Sequence, residues 1–212
     1  MNQKAKISSY VFITMLLFLV CHSSCKKKIR GCMDSTSINY NAKATEDDGS
    51  CTYALTIGRS YQGGVIAYVL LSSDPGYDAN VTHGLIAAAL DQSTGIGWWN
   101  GNYISTFASG TAVGTGNSNT NSIVNYQKTG SFAAKICFDL VLGGFSDWYL
   151  PSRDELNHLY ENKTTIGGFA TTGYWSSSEN SNSGAWGQTF DVGGQVNYTK
   201  NLSLCVRAVR SF

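Results

Sequence analysis

Few residues in this chain have the type and spacing for chemistry, and most of those suit recognition better than bond making. Trp98, Trp99, Asn100 and Tyr103 lie in one stretch, and Glu179, Asn180, Asn182 and Gln188 in another. Aromatic faces accept the C–H side of a sugar ring, and planar amides and carboxylates match hydroxyl groups, so both stretches fit a saccharide ligand. For catalysis the inventory is poor. His22 sits in a removable leader, and His83 and His158 have no Gly-x-Ser-x-Gly or comparable nucleophile pattern beside them. No His-x-x-x-His or Cys-x-x-Cys spacing offers a transition metal its ligands. The chain is therefore expected to be no enzyme.

A second inventory is the segment closed by Cys32 and Cys51. Asp34, Asn39, Asn41, Asp47 and Asp48 are hard oxygen donors of the kind Ca²⁺ takes. The EF-hand spacing is missing, however, and no Glu stands where a bidentate ligand belongs. Asn and Asp turn chemistry, with Asp48-Gly49 as a tight turn, is the favoured reading, and no cofactor is expected.

These residues are set in 212 positions, of which 14% are charged and 12% aromatic, with 23 Gly and 2 Pro. That mixture excludes a disordered chain, a collagen and a long coiled coil. Six of the fifteen basic residues precede Gly31 and all fourteen acidic ones follow it, so the rest of the chain is acidic. Nucleic acid is thereby excluded as a partner, since it demands clustered Lys and Arg, and sulfated polyanions are disfavoured for the same reason.

Lys4 and Lys6 precede an apolar run from Tyr10 to Cys21, the length of a signal-peptide core and too short to cross a bilayer. His22-Ser-Ser-Cys25-Lys-Lys-Lys28 follows. It resembles the bacterial lipobox in the looser form of Bacteroidetes-type lipoproteins, with His22 in place of the usual Leu. Residues 1–24 are then a lipoprotein signal peptide, Cys25 the lipidated residue (Cys21, behind Val20, being the rival) and 25–30 a basic tether. The resemblance implies a lipid anchor in the outer membrane, with the periplasmic or surface face left open. Four cysteines remain in an oxidising compartment, which suggests two disulfides. Sequence allows three connectivities; local logic pairs Cys32 with Cys51 and leaves Cys137 for Cys205.

The segment 31–52, of the form Gly-Cys-x-Asp…Asn-Tyr-Asn…Asp-Asp-Gly-Ser-Cys, resembles a small disulfide-closed module of extracellular Bacteroidetes proteins. From 53 to 212 the pattern predicts strands over Gly64–Leu71 and Gly84–Leu90, then a long loop from Trp98. Helices are expected over Asn121–Gln127 and Ser131–Leu142, the latter burying Ile136, Leu140 and Cys137. Ser152-Arg-Asp-Glu155 reads as a capping box opening a helix with Leu156, Leu159 and Tyr160 on one face. Strands over Gly173–Ser177, Ala185–Val192, Gln195–Thr199 and Leu204–Arg210 complete the set, with Gly193-Gly194 as a two-residue hairpin turn.

Gly144-Phe-Ser-Asp-Trp-Tyr-Leu-Pro-Ser-Arg-Asp-Glu-Leu156, Tyr174-Trp-Ser-Ser-Ser-Glu179, Ala185-Trp186 and Val206-Arg-Ala-Val-Arg210 follow one another in that order. Together they resemble the Lcl-type C-terminal domain found at the end of collagen-like adhesins and alone in secreted lipoproteins. The resemblance implies an α+β, C-type-lectin-like domain: twisted antiparallel sheet, two or three helices and long loops. It also implies trimers and glycosaminoglycan or polysaccharide ligands. Most motif residues have a structural reading. Asp147 is expected to accept turn amides ahead of Trp148, and Leu150-Pro151 to make an extended approach to the helix capped by Ser152 and Glu155. Trp175 and Trp186 are expected to pack on each other or on the helix across the sheet, and Arg207 to pair with Asp147 or Glu155. The function expected is a non-catalytic envelope lipoprotein binding carbohydrate or a surface protein, with an oligomer allowed. The alternatives are an assembly component without a small ligand, and a formylglycine-generating-like oxidase using Cys137 and Cys205.

Overall fold

A computed structural model describes residues 27–212, which form two compact units divided after Ala54. The signal peptide expected over residues 1–24 and the expected lipidation site Cys25, with its rival Cys21, lie outside the described residues.

The first unit is held by a disulfide. Cys32 and Cys51 are bonded, and the strands β1 (Arg30–Gly31) and β2 (Glu46–Asp47) are two residues each. Of its described residues only Cys32 and Ser37 are buried, so these residues build almost no apolar core.

The second unit, Leu55–Phe212, is α+β with two antiparallel-rich sheets and few helices. One sheet has the order β11 (Val209–Ser211), β5 (Gly84–Ala87), β4 (Gly64–Val69), β3 (Ser60–Tyr61). The other runs β6 (Ser93–Ile96), β10 (Leu204–Val206), β7 (Gly173–Glu179), β8 (Gly184–Thr189), β9 (Gln195–Thr199). In that second sheet β7 and β10 run parallel and the other pairs antiparallel. Helices α1 (Gly116–Gln127), α2 (Ala133–Phe138), α3 (Arg153–Glu161) and α4 (Lys163–Ile166) cover the sheets.

Every residue of β7 is buried, because this strand has a core on each face. Side chains alternate along a strand, so Trp175 faces the core shared with Trp98, Phe132, Cys137, Trp148 and Val206. Tyr174 faces the other core, with Leu156, Leu159, Phe190 and Cys205. Pairing Trp175 with Gly187 places Trp186 on the opposite face, so the two tryptophans do not stack. Trp175 instead meets Tyr198 edge-on and donates to the Ile96 carbonyl, and Trp186 lies beneath the Arg153 guanidinium.

The same alternation overturns the second disulfide. Cys205 pairs in register with Tyr174 and shares its face, while Cys137 on α2 belongs to the other core. Both are free, buried thiols. The oxidase alternative needs the two cysteines side by side as a pair, and their places in separate cores do not bring them together.

Element expectations also change, and the helix expected over Ser131–Leu142 spans only Ala133–Phe138. The C-terminal segment is two strands in two sheets, since the chain crosses over at Arg207-Ala208. The hairpin between β8 and β9 turns through Phe190–Gly194, closed by Gly193 and Thr189 backbone bonds, and is longer than a Gly-Gly turn. The helix expected from Asn121 begins at Gly116, where a Cβ would run into Glu155 Oε2.

Candidate functional site

The long uncharged segment between β6 and α1 is a loop tied down at many points. Trp98 continues the sheet, its amide donating to Lys200 O and its Nε1 to Ser176 O. Gln127, at the end of α1, accepts from the Asn100 amide and donates to Trp98 O, and the Asn100 side chain donates to Gln127 O. Further on, the Glu179 carboxylate accepts from the Thr106 amide at 2.9 Å through both oxygens, and the Glu179 amide donates to Ala108 O. Lys200 closes this clamp: its ammonium donates to Ile104 O, pairs with Glu179 and sits 4.5 Å over the Trp98 ring. Ser122 of α1 donates to Thr106 O.

The serines of β7 serve the same loop. Ser178 Oγ donates to Gly110 O at 2.6 Å and accepts the Arg153 amide, and Ser177 Oγ accepts from Asn119, whose side chain also brackets Gly110. Ser152 carries both partners of its capping box and donates to Ala112 O. Glu155 then accepts from the Ser152 and Gly114 amides at 2.8 Å each. Burial pushes the Glu155 carboxyl above its ordinary value, opposed by those amide bonds.

Arg207 and Arg210 of the motifs are likewise consumed inside the fold, while Asp147 stays at the surface. Arg207 is fully buried and pairs with Asp91, not with Asp147 or Glu155, and its remaining donors reach the carbonyls of Ala88 and Gly168. Asp147 takes a bidentate bond from Arg210 at 2.7 and 2.8 Å, rather than turn amides. That guanidinium holds the Asp147 carboxyl below its ordinary value. Burial lowers the Lys200 ammonium and raises the Cys137 and Cys205 thiols, so neither cysteine is a ready nucleophile.

Of the eight residues read as ligand-binding, the structure leaves five at the surface. Trp98 is fully buried, Gln188 is buried with its amide donating to Asn157 and Gly193, and Glu179 is 8% exposed. These three build the scaffold. Trp99 and Tyr103 stack with centroids 4.1 Å apart, beside partly exposed Asn100. Asn180 and Asn182 are exposed at the separate turn between β7 and β8. Two aromatics that the reading missed stand at the far end of the loop: Phe107, 69% exposed, and Tyr126 of α1, 49% exposed, with centroids 5.3 Å apart. Phe107 has φ of 57°, a left-handed conformation rarely taken by a bulky residue. An aromatic in a Gly/Ser/Thr/Asn-rich loop was the only signal that could have flagged it.

In the first unit the oxygen-rich side chains are engaged in turns. Asp34 accepts from Thr36 and from the Tyr53 hydroxyl, and Asn39 bridges Ser50 O and the Thr52 amide. Asn41, Asp47 and Asp48 accept from amides two residues on. Among the described residues no group of three or more His, Cys, Asp or Glu is placed to hold a metal ion.

Among proteins of curated function none matches this sequence. A solved fimbrial protein from Bacteroides ovatus ATCC 8483 is similar in backbone course, with a TM-score of 0.49 and 16% identity. The similarity covers 77% of this chain and 50% of that one, so this chain spans about half its length. Residues 87–210, which carry the capping box, the β7 serines and the buried arginines, match the sequence model of the Lcl C-terminal domain over more than half the chain, and the protein belongs to the Lcl C-terminal domain family.

Proposed function

We propose that this protein is a non-catalytic lipoprotein of the cell envelope whose Lcl domain is a binding module for carbohydrate or a surface partner. The observation that carries the reading is the division of labour in the domain. Glu155, Glu179, Arg207 and Arg210 are buried, each with a full set of partners, while aromatic rings and amides populate the loop surface. Reactive groups locked in a scaffold suit binding better than turnover. Two antiparallel-rich sheets with few helices and long loops support a C-type-lectin-like classification. Residues 1–24 would direct export, and Cys25 would carry the lipid in the outer membrane.

Metabolic labelling with a fatty-acid analogue tests the anchor. Wild type takes the label and Cys25→Ala does not; equal labelling of both refutes the assignment. Protease shaving of intact cells then reports the membrane face.

One feature favours a second reading, an assembly component that holds another protein. Strand β9 ends its sheet, and its five residues are mostly exposed, uncharged and paired to β8 without a bulge. Such an edge can accept a further strand. A defined protein partner recovered by crosslinking, together with a glycan array without hits, would establish it.

A further inference from the structure

We propose that Phe107 and Tyr126, extended by Trp99 and Tyr103, form a binding surface for a neutral, hexose-based polysaccharide, held in shape by the buried Glu179–Lys200 pair. The inference rests on the carbohydrate reading above and narrows it to one site and one ligand class.

Four observations converge. The rings are displayed rather than packed: Phe107, Tyr126 and Tyr103 are 69%, 49% and 47% exposed. Next, the display is enforced. Phe107 holds a left-handed φ of 57° because the backbone is fastened on both sides of it, Thr106 by the Glu179 carboxylate and Ser122, Ala108 by the Glu179 amide. A strained residue whose side chain contributes little to the core is the pattern of a functional position. Both aromatic pairs are also tied to the same helix end, Asn100 through Gln127 and Phe107 through Tyr126, so they are fixed relative to α1. The fourth observation selects the ligand. From Gln92 to Gln127 there is no Asp, Glu, Lys, Arg or His. Exposed Asn102 and Asn125, the residues preceding Tyr103 and Tyr126 in sequence, supply neutral donors and acceptors. Aromatic faces for C–H groups and amides for hydroxyls, with the exposed Lys128 just past the helix end as the one charge adjoining this segment in sequence, match an uncharged sugar and give a polyanion little to neutralise. The open surface suits internal units of a long chain better than one enclosed sugar.

Glu179 and Lys200 are positioning residues in this scheme, since neither reaches the exposed rings. They fix the backbone from Ile104 to Ala108 from below.

The test is affinity electrophoresis of the purified full-length protein in gels containing hydroxyethyl-cellulose, xyloglucan, galactomannan or dextran, with heparin as the polyanion. Wild type is expected to be retarded by at least one neutral polysaccharide, undiminished by about 0.5 M NaCl, which screens charge beyond a few ångström. Phe107→Gly and Tyr126→Ala should each weaken retention roughly tenfold, the size of one aromatic contact. Glycine adopts positive φ freely, so Phe107→Gly should melt at or above the wild-type temperature, separating lost binding from lost folding. Neutral-polysaccharide retention unchanged in Phe107→Gly would overturn this site and leave the carbohydrate-binding function standing. Retention by heparin alone, abolished by salt, would overturn the ligand class. No retention by any polysaccharide would overturn both the site and the carbohydrate reading.

Discussion

Adjacent tryptophans at 98 and 99 are put to opposite uses because Trp98 extends a sheet and so must alternate with its neighbour. Trp98 has its ring in the core, its Nε1 on Ser176 O and the Lys200 ammonium against its face. Trp99 is only half-buried, stacked on Tyr103. Trp98→Ala should therefore cost about 3–5 kcal/mol, the range for an aromatic removed from a packed core. Trp99→Ala should cost no more than about 1 kcal/mol, as surface changes do. Equilibrium urea unfolding of the two variants checks the contrast, and equal losses would show that both rings are structural. Residue types alone could not have sorted these roles. Glu179 and Gln188 read as surface polar groups, yet the partners that bury them stand on other elements, Lys200 and Asn157. Arg207 finds Asp91 at a sequence separation of 116 residues. No local pattern announces a pairing of that span.

Elements were more legible than residues where the signal is local. The capping box of α3 is complete, with the Ser152 hydroxyl on the Glu155 amide and the Glu155 carboxylate on the Ser152 amide. Strand β9 begins and ends at the residues its alternation indicated. Short strands in irregular stretches were not legible: β3 and β6 have two and four residues and owe their form to neighbours. The misread disulfide has the same origin, since cysteine parity says nothing about which face of a strand a thiol occupies. With α2 on one side of the second sheet and Cys205 pointing to the other, both thiols are shielded and free. Iodoacetamide followed by mass mapping should leave Cys137 and Cys205 unmodified in the native protein and alkylate both in denaturant without reductant. Cys32 and Cys51 should react only after reduction. A Cys137–Cys205 crosslinked peptide would reverse this account.

At the scale of the molecule, two units rely on different sources of stability. Leu55–Phe212 has two continuous apolar cores, whereas the unit ending at Ala54 has a cystine in place of one. Closing that loop contributes about 3 kcal/mol in the chain-entropy description, comparable to the whole stability such a small unit can have. Replacing Cys32 and Cys51 by Ser should collapse the amide dispersion of residues 31–52 in a ¹H–¹⁵N spectrum and leave the signals of 55–212 in place. Loss of both sets would mean that the larger unit depends on the smaller. One feature of that larger unit bears on how it is made. Residues 204–211 supply β10 to the interior of one sheet and β11 to the edge of the other, with Arg207 buried at the crossing. Neither sheet can be finished while these residues are still on the ribosome, so both apolar cores stay open during synthesis and the two sheets close together, as one late event, once residues 204–211 have emerged.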